Sequence, residues 1–250
     1  MKIYKYRPID KYIEKNILHS LFAYVRVSNF NDPFELRPSL TVSYDQWNKE
    51  NAFNTKEKED KLLKGIRNMN SFDNDSTSVL LNGIFVSCFT RTLDSILMWS
   101  YYANGHKGVC YEFDIPDDEY KAMDFSEVNY TEGRPEIKIH VTTQNSEVKR
   151  NDDQESIYIK KSIHRIITTK SKVWKHENEI RLFLKDKKLE LIDKQYIDLS
   201  LPFISKIFLG ALVNNNDKDL IKQYALSKNI PVYQMEIDDK HYTLSPHPVI

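Results

Sequence analysis

Trp174-Lys-His-Glu-Asn-Glu-Ile-Arg-Leu-Phe-Leu184 sets acidic and basic side chains into a segment with the apolar alternation of a core strand. Read as one strand, its two-residue period puts Glu177, Glu179 and Arg181 on one face and Ile180, Leu182 and Leu184 on the other. Two carboxylates would then stand side by side on rigid backbone. Such a stretch is either a half-exposed strand with solvated charges or an edge that carries chemistry, and the rest of the chain has to decide between them.

Working outward, Ser156 starts an expected helix through Ile159, Ile163, Ile166 and Ile167 that delivers the chain to Trp174. Beyond the stretch, Lys188–Ile192, Ile204–Val213 and Pro231–Ile237 read as strands. Asn216 or Asp217 caps a helix carrying Leu220, Ile221, Tyr224 and Ala225, and the C-terminus reads as an extended tail. Upstream, Lys2–Arg7 alternates up to Pro8 as a first strand, Asp10 caps a helix of about three turns, and Phe22–Ser28 is a second strand. Asn29-Phe-Asn-Asp-Pro-Phe-Glu35 forms a tight loop, because Asn and Asp make local side-chain turns and Pro33 has no donor to give a sheet. Gly83–Thr90 is a near-continuous apolar strand holding Ser87. Asp94 caps a helix through Leu97–Ala103, and Gly108–Asp114 is the following strand. Residues of about 40–80 form a polar helical insertion with a solvated charge run, and about 131–155 a mobile loop with Glu136–His140 as an edge strand.

Strands interleaved with a few helices, some strands adjacent in sequence, predict a single α+β domain over residues 1–250 with mixed and antiparallel sheets flanked by helices. At 250 residues the chain is long enough to bury a proper core. Its 36 basic residues balance 36 acidic ones, so no global field favours nucleic acid or a membrane; Lys149 and Arg150 are the nearest approach to a local basic patch. No apolar run of about 18 residues occurs, and the N-terminus lacks a signal-peptide core, which points to the cytoplasm. Cys88 and Cys110 sit in apolar runs as reduced thiols. The scattered histidines lack metal-ligand spacing, so no metal is expected. Rossmann, P-loop and Gly-x-Ser-x-Gly fingerprints are absent from the sequence.

Four islands belong together: Tyr4-Lys-Tyr-Arg7, Asn31-Asp-Pro-Phe-Glu35, Leu97-Met-Trp-Ser-Tyr-Tyr-Ala103 with Gly105-His-Lys-Gly108, and Trp174-x-x-Glu-x-Glu-x-Arg181. In order and spacing they resemble a bacterial and phage-associated family known as domain of unknown function twenty-nine seventy-one, over roughly residues 2 to 240. That family's company suggests toxin or phage-defence use but supplies no chemistry.

A second resemblance supplies some. A first strand ending in Arg, a middle strand holding Ser and a late strand bearing Glu-x-Glu are similar to the Arg-Ser-Glu plan of ADP-ribosyltransferases. That resemblance implies an ADP-ribosyltransferase-like fold, NAD as co-substrate, and transfer of ADP-ribose to an acceptor, protein or nucleic acid, that the residues do not reveal. It assigns Glu179 to the cationic sugar, Glu177 to the acceptor, Arg7 to the NAD phosphate or ribose, and Ser87 to holding Glu179. Phe89, Trp99 or Tyr102 would stack on nicotinamide, with Arg181 behind the carboxylates. The sequence departs from the plan in that Ser87 lies in Ser-Cys-Phe-Thr90 rather than in a Ser-Thr-Ser-like triplet, and in that Arg181 directly follows the Glu pair. Two other readings stand beside it. Glu136-Ile-Lys138 with Asp114 or Asp124 would serve a metal-dependent nuclease, and the aromatic cluster would serve a non-catalytic binding or sensor module in which Glu177, Glu179 and Arg181 are structural.

Overall fold

The computed structural model describes residues 1–30, 32–36, 38–44, 83–141, 162–185, 191 and 194–250. Within them, fourteen strands and a few short helices alternate. Strands β1 (Lys2–Arg7), β2 (Leu21–Arg26), β4 (Ile84–Thr90), β5 (Val109–Asp114), β10 (Glu179–Lys185), β11 (Tyr196–Ser200), β12 (Ile204–Leu209), β13 (Val232–Ile237) and β14 (Leu244–Pro248) form one sheet with the short β6 (Phe125–Glu127). Its order is β11-β2-β4-β1-β5-β12-β13-β14, with β10 on the other side of β4 and followed by β6. All neighbours run antiparallel except β12 and β13. The class is α+β with a mixed, mostly antiparallel sheet, as the alternation of strand and helix signals predicts.

Strand β4 is central because it is bonded along both sides. On one side it pairs with all of β10, from Glu179 opposite Thr90 to Lys185 opposite Ile84. Its other side is shared: Val86 and Phe85 face β2, while Thr90 faces Tyr4 of β1. Between those two contacts the Cys88 carbonyl accepts from Lys5 Nζ at 2.9 Å, and a strand flanked by others on both sides can be apolar on both faces. All but Cys88 of its seven residues are buried.

The two faces hold different cores. On one, Ile3, Phe85, Phe89, Tyr111, Phe113, Ile180 and Leu182 pack beneath helix α1 (Ile13–His19) and the last helix, labelled α5 (Asn215–Ser227). On the other, Tyr6, Cys110 and Phe208 meet Trp99 of helix α2 (Ile96–Tyr102), and Val86 and Phe183 meet Ile166 and Ile167. The last two belong to a helical run over 162–167, labelled α4; α3 is Asp117–Ala122.

Several expectations change in detail. Helix α1 spans seven residues, fewer than three turns, and Ser20 ends it in the left-handed region at φ 52°. Ser95, not Asp94, caps α2 by accepting from the Met98 N–H, and Asn214 caps α5 by accepting from Asp217. The C-terminal tail is strand β14, antiparallel to β13; Pro246 and Pro248 hid it, although an edge strand tolerates prolines. Glu136–Val141 is a strand, β8, but it pairs in parallel with β3 (Ser39–Tyr44). The remainder of the expected 40–80 insertion and of the 131–155 loop, with Lys149 and Arg150, lies outside the described residues, as does most of Lys188–Ile192. No helix among the described residues is long and apolar enough to cross a membrane.

Candidate functional site

The Trp174–Leu184 stretch is two elements. Lys172–Glu177 is a 3-10 helix, Asn178 turns the chain in the left-handed region at φ 44°, and β10 begins at Glu179. Glu177 is therefore not on the strand, and its reach to the same place as Glu179 comes from the Asn178 turn. Within β10 the period holds: Ile180 and Leu182 enter the first core while Glu179 and Arg181 face the opposite side.

On that side a buried ionic cluster assembles from four segments. Lys170, on β9 (Thr169–Ser171), places Nζ 2.6 Å from Glu177 Oε2, 3.1 Å from Glu35 Oε1 and 3.3 Å from Glu179 Oε2. Arg181 donates from Nε to Glu179 Oε1 at 2.8 Å and from Nη2 to Glu35 Oε2 at 2.7 Å. Its Nη1 donates to the Ile167 carbonyl at 2.6 Å, capping the end of α4. Tyr102 donates to Glu177 Oε1 at 2.6 Å, and the Tyr130 hydroxyl accepts the Glu179 N–H at 2.8 Å. Every ionic member is buried, Arg181 to 1 % exposure. Charges taken out of water at this depth persist only when paired and hydrogen-bonded, and here each is.

The neighbours set the protonation states. Burial works to raise the Glu179 carboxyl, but the Arg181 guanidinium and Lys170 ammonium outweigh it and hold the group at about 2. Burial likewise opposes the charge on Lys170, and Glu179, Glu35 and Glu177 overcome it and raise that amine. For Glu177 burial wins: its carboxyl lies above the ordinary range although Lys170 and Tyr102 pull it down. Two adjacent carboxylates thus have environments that push them apart, one firmly ionised and one closer to taking a proton.

The cluster is the wall between two concavities. A small one of about 80 Å³ lies over one face of β1, β4 and β10 and is bordered by Tyr4, Tyr6, Cys88, Tyr102, Glu177 and Glu179. A cleft of about 510 Å³ opens on the other side, where Glu35 and Lys170 meet Phe34 and Trp174.

Strand parity sorts the other residues singled out from the sequence. Opposite Ser87 on β10 stands Leu182, not Glu179 or Arg181. Ser87 therefore faces the first core, where its hydroxyl accepts from Lys5 Nζ at 2.8 Å and donates to the Ala23 carbonyl at 3.3 Å. Holding Glu179 falls instead to Arg181 and Lys170. Arg7 is on the Ser87 side of β1 and reaches Asp10 Oδ2 at 3.3 Å. Phe89 packs edge-on against Phe113 in the same core. Trp99 is fully buried, donating to the Leu93 carbonyl at 2.8 Å, and is a core ring rather than a cavity wall. Of the seven expected site residues besides Arg181 behind them, Glu177, Glu179 and Tyr102 come together and Phe89 also borders their concavity, while Arg7, Ser87 and Trp99 do not join them.

Glu35, Lys170 and Tyr130 were missed. Glu35 ends the Asn-Asp-Pro-Phe-Glu island, whose turn forms as expected: Asp32 Oδ1 accepts the Phe34 N–H at 2.8 Å and the Asp32 carbonyl accepts Glu35 N–H at 3.2 Å. An acid at the end of a structured turn is a usable signal. Lys170, in Thr-Thr-Lys-Ser, shows none. The carboxylates of the nuclease pattern are engaged apart, Asp124 with Lys185 at 2.6 Å and Asp114 with the N-terminal amine at 3.8 Å. Burial raises both thiols, so neither cysteine is a neutral-pH thiolate.

No curated protein and no solved structure matches the chain. Residues 98–182, which run from Met98 of α2 to the middle of β10 and so contain Tyr102, Tyr130, Lys170, Glu177, Glu179 and Arg181, match the family described as protein of unknown function DUF2971, the family to which the four sequence islands point.

Proposed function

We propose that the chain cleaves the nicotinamide–ribose bond of NAD and transfers ADP-ribose to an acceptor, with the small concavity over β1, β4 and β10 as its reacting centre. The observation that carries this reading is that Glu177 and Glu179 border one concavity with Tyr102, in two different protonation environments. The leaving nicotinamide is neutral, so departure needs little acid catalysis. It needs fixed negative charge near the cationic sugar. Glu179, ionised throughout the physiological range, supplies that charge, and Arg181 and Lys170 keep it from moving. As the acceptor bonds to the sugar carbon it loses a proton, and Glu177 is the group suited to receive it. At about 80 Å³ the concavity takes only the reacting end, so the remainder of NAD would lie across its mouth.

In this reading the three-strand plan is kept with its strand residues an odd number of positions over, on the opposite face. Tyr4 or Tyr6 stands in for Arg7 and Cys88 or Thr90 for Ser87, because these share the face of Glu179. Incubation with labelled NAD and a cell lysate tests the reading. Label on a macromolecule supports the transferase, release of nicotinamide alone narrows it to a glycohydrolase, and neither product contradicts it. Use in a toxin or phage-defence setting, in the cytoplasm, belongs to the same proposal. A non-catalytic binding module is favoured by one observation: both oxygens of Glu179 already accept from cations. Full activity loss in Glu179→Gln with the fold retained would decide against that module.

A further inference from the structure

The ionic cluster sets three carboxylates against two cations, and the cations are not shared evenly. Arg181 reaches Glu179 from Nε at 2.8 Å and from Nη2 at 3.0 Å, and Glu35 from Nη2 at 2.7 Å. Among the described residues, the one cation paired with Glu177 is Lys170, 2.6 Å from Oε2. Glu177 Oε1 accepts the Tyr102 hydroxyl at 2.6 Å, a neutral donor. The other groups that face Glu177 bring no positive charge. Glu179 on β10 is an anion, and burial raises the hydroxyls of Tyr102 and of Tyr130 on β7 (Asn129–Thr131), so both keep their protons. His176, the preceding residue, turns Nδ1 to the Val173 carbonyl at 3.2 Å. Without the Lys170 ammonium, Glu35 and Glu179 would still share Arg181. Glu177 would be a buried carboxylate with one neutral donor, and a carboxyl so placed takes a proton rather than keep its charge.

We propose that Lys170 is the positioning residue that keeps Glu177 an ionised carboxylate, as Arg181 does for Glu179. Each acid at the small concavity then has its own cation, Arg181 behind the one that faces the sugar and Lys170 behind the one that receives the proton. Burial pushes Glu177 towards its neutral form and Lys170 pulls it back. That balance suits a group which gains a proton and loses it again in each turnover. The assignment of charge stands on the geometry of the cluster, and its consequence for turnover rests on the NAD reading above.

Infrared spectroscopy tests the assignment, because a protonated carboxyl shielded from water has a carbonyl band apart from those of carboxylates and solvated acids. Wild type at pH 7 should lack that band. Lys170→Met and Lys170→Gln, each shown to be folded, should gain it. Glutamine keeps a hydrogen-bond donor, so it separates loss of the charge from loss of a bond. The band should vanish when Glu177→Gln is added to either variant and persist when Glu179→Gln is added instead. A folded Lys170→Gln without the band, or a band that outlasts Glu177→Gln, would overturn the proposal. With NAD as substrate, the acid limb of the rate profile should move up by about one pH unit or more in the Lys170 variants. A rate lowered equally at every pH would make Lys170 a structural residue only. Wild type that turns over no NAD would contradict the reading of the concavity and leave the infrared result to decide the role of Lys170.

Discussion

Arg181 is the residue on which the ionic cluster depends. Its guanidinium reaches Glu35, Glu179 and the Ile167 carbonyl at once, so Arg181→Leu leaves two buried carboxylates short of a partner. Breaking a buried pair in this way costs about 3–5 kcal/mol, which urea unfolding of the two proteins would read directly. Glu179 gives the pH dependence. It titrates at about 2 in the fold against an ordinary 4.5, so its contribution to stability is whole above the unfolded value and is lost as pH falls through the folded one. Melting temperatures should therefore drop between about pH 5 and pH 2, and drop less steeply in Glu179→Gln. Glu177, raised instead of lowered, works in the opposite sense over its own range and makes the fall shallower than Glu179 alone would. Lys5 has the reverse sign among the bases. Burial lowers its amine to about 8 from 10.5, so the fold is penalised while it is charged and the penalty fades as pH rises between those values. Lys5→Met should raise stability by about 1 kcal/mol at pH 7, with the gain shrinking towards pH 10. At this scale the sequence announced Glu177, Glu179 and Arg181 because charged residues interrupt an apolar strand. It was silent on Lys170 and Lys5, whose partners lie 7 or more residues away on other elements and leave no local pattern.

Among the elements, the turn at Asn178 sets how the two carboxylates are spaced. Asparagine tolerates the left-handed region and a β-branched residue does not. Asn178→Val should cost about 1–3 kcal/mol and disturb Glu177 more than the buried β10, while Asn178→Gly should leave both nearly unchanged. Thermal unfolding ranks the two variants, and the pH dependence of turnover shows whether Glu177 has moved. Gly108 fixes the other side of the site. A Cβ there would stand 2.3 Å from the Arg7 carbonyl and 2.8 Å from Ala103, which explains a glycine where the chain leaving α2 crosses the end of β1. Most elements were readable from alternation and helical spacing, β1 to its last residue. The 3-10 helix over Lys172–Glu177 was not, because Glu177, Glu179 and Arg181 continue a period of two across a turn that only the backbone of Asn178 reveals. The same period explains why Ser87 misled: one step along β4 exchanges the faces, and a single sequence does not say which face of a strand buried on both sides meets β10's charges.

At the scale of the molecule, the sheet brings β1, β4 and β10 side by side although they are far apart in the chain, and helix α2 and the 172–178 segment lean over that face. An α+β class was legible from the mixture of signals. The strand order was not, since it rests on β4 being shared by β2 and β1 along one side, a pairing that no local pattern encodes. The central claim is that the Glu177–Glu179 face, and not the Ser87 face, carries NAD chemistry. Nicotinamide release from NAD by purified wild-type protein, Glu179→Gln and Ser87→Ala, each first shown to be folded, tests it most directly. The account predicts release by wild type, a loss of about a hundredfold or more in Glu179→Gln, and near wild-type rates in Ser87→Ala. Release that survives in Glu179→Gln and vanishes in Ser87→Ala would contradict it, as would the absence of release from all three.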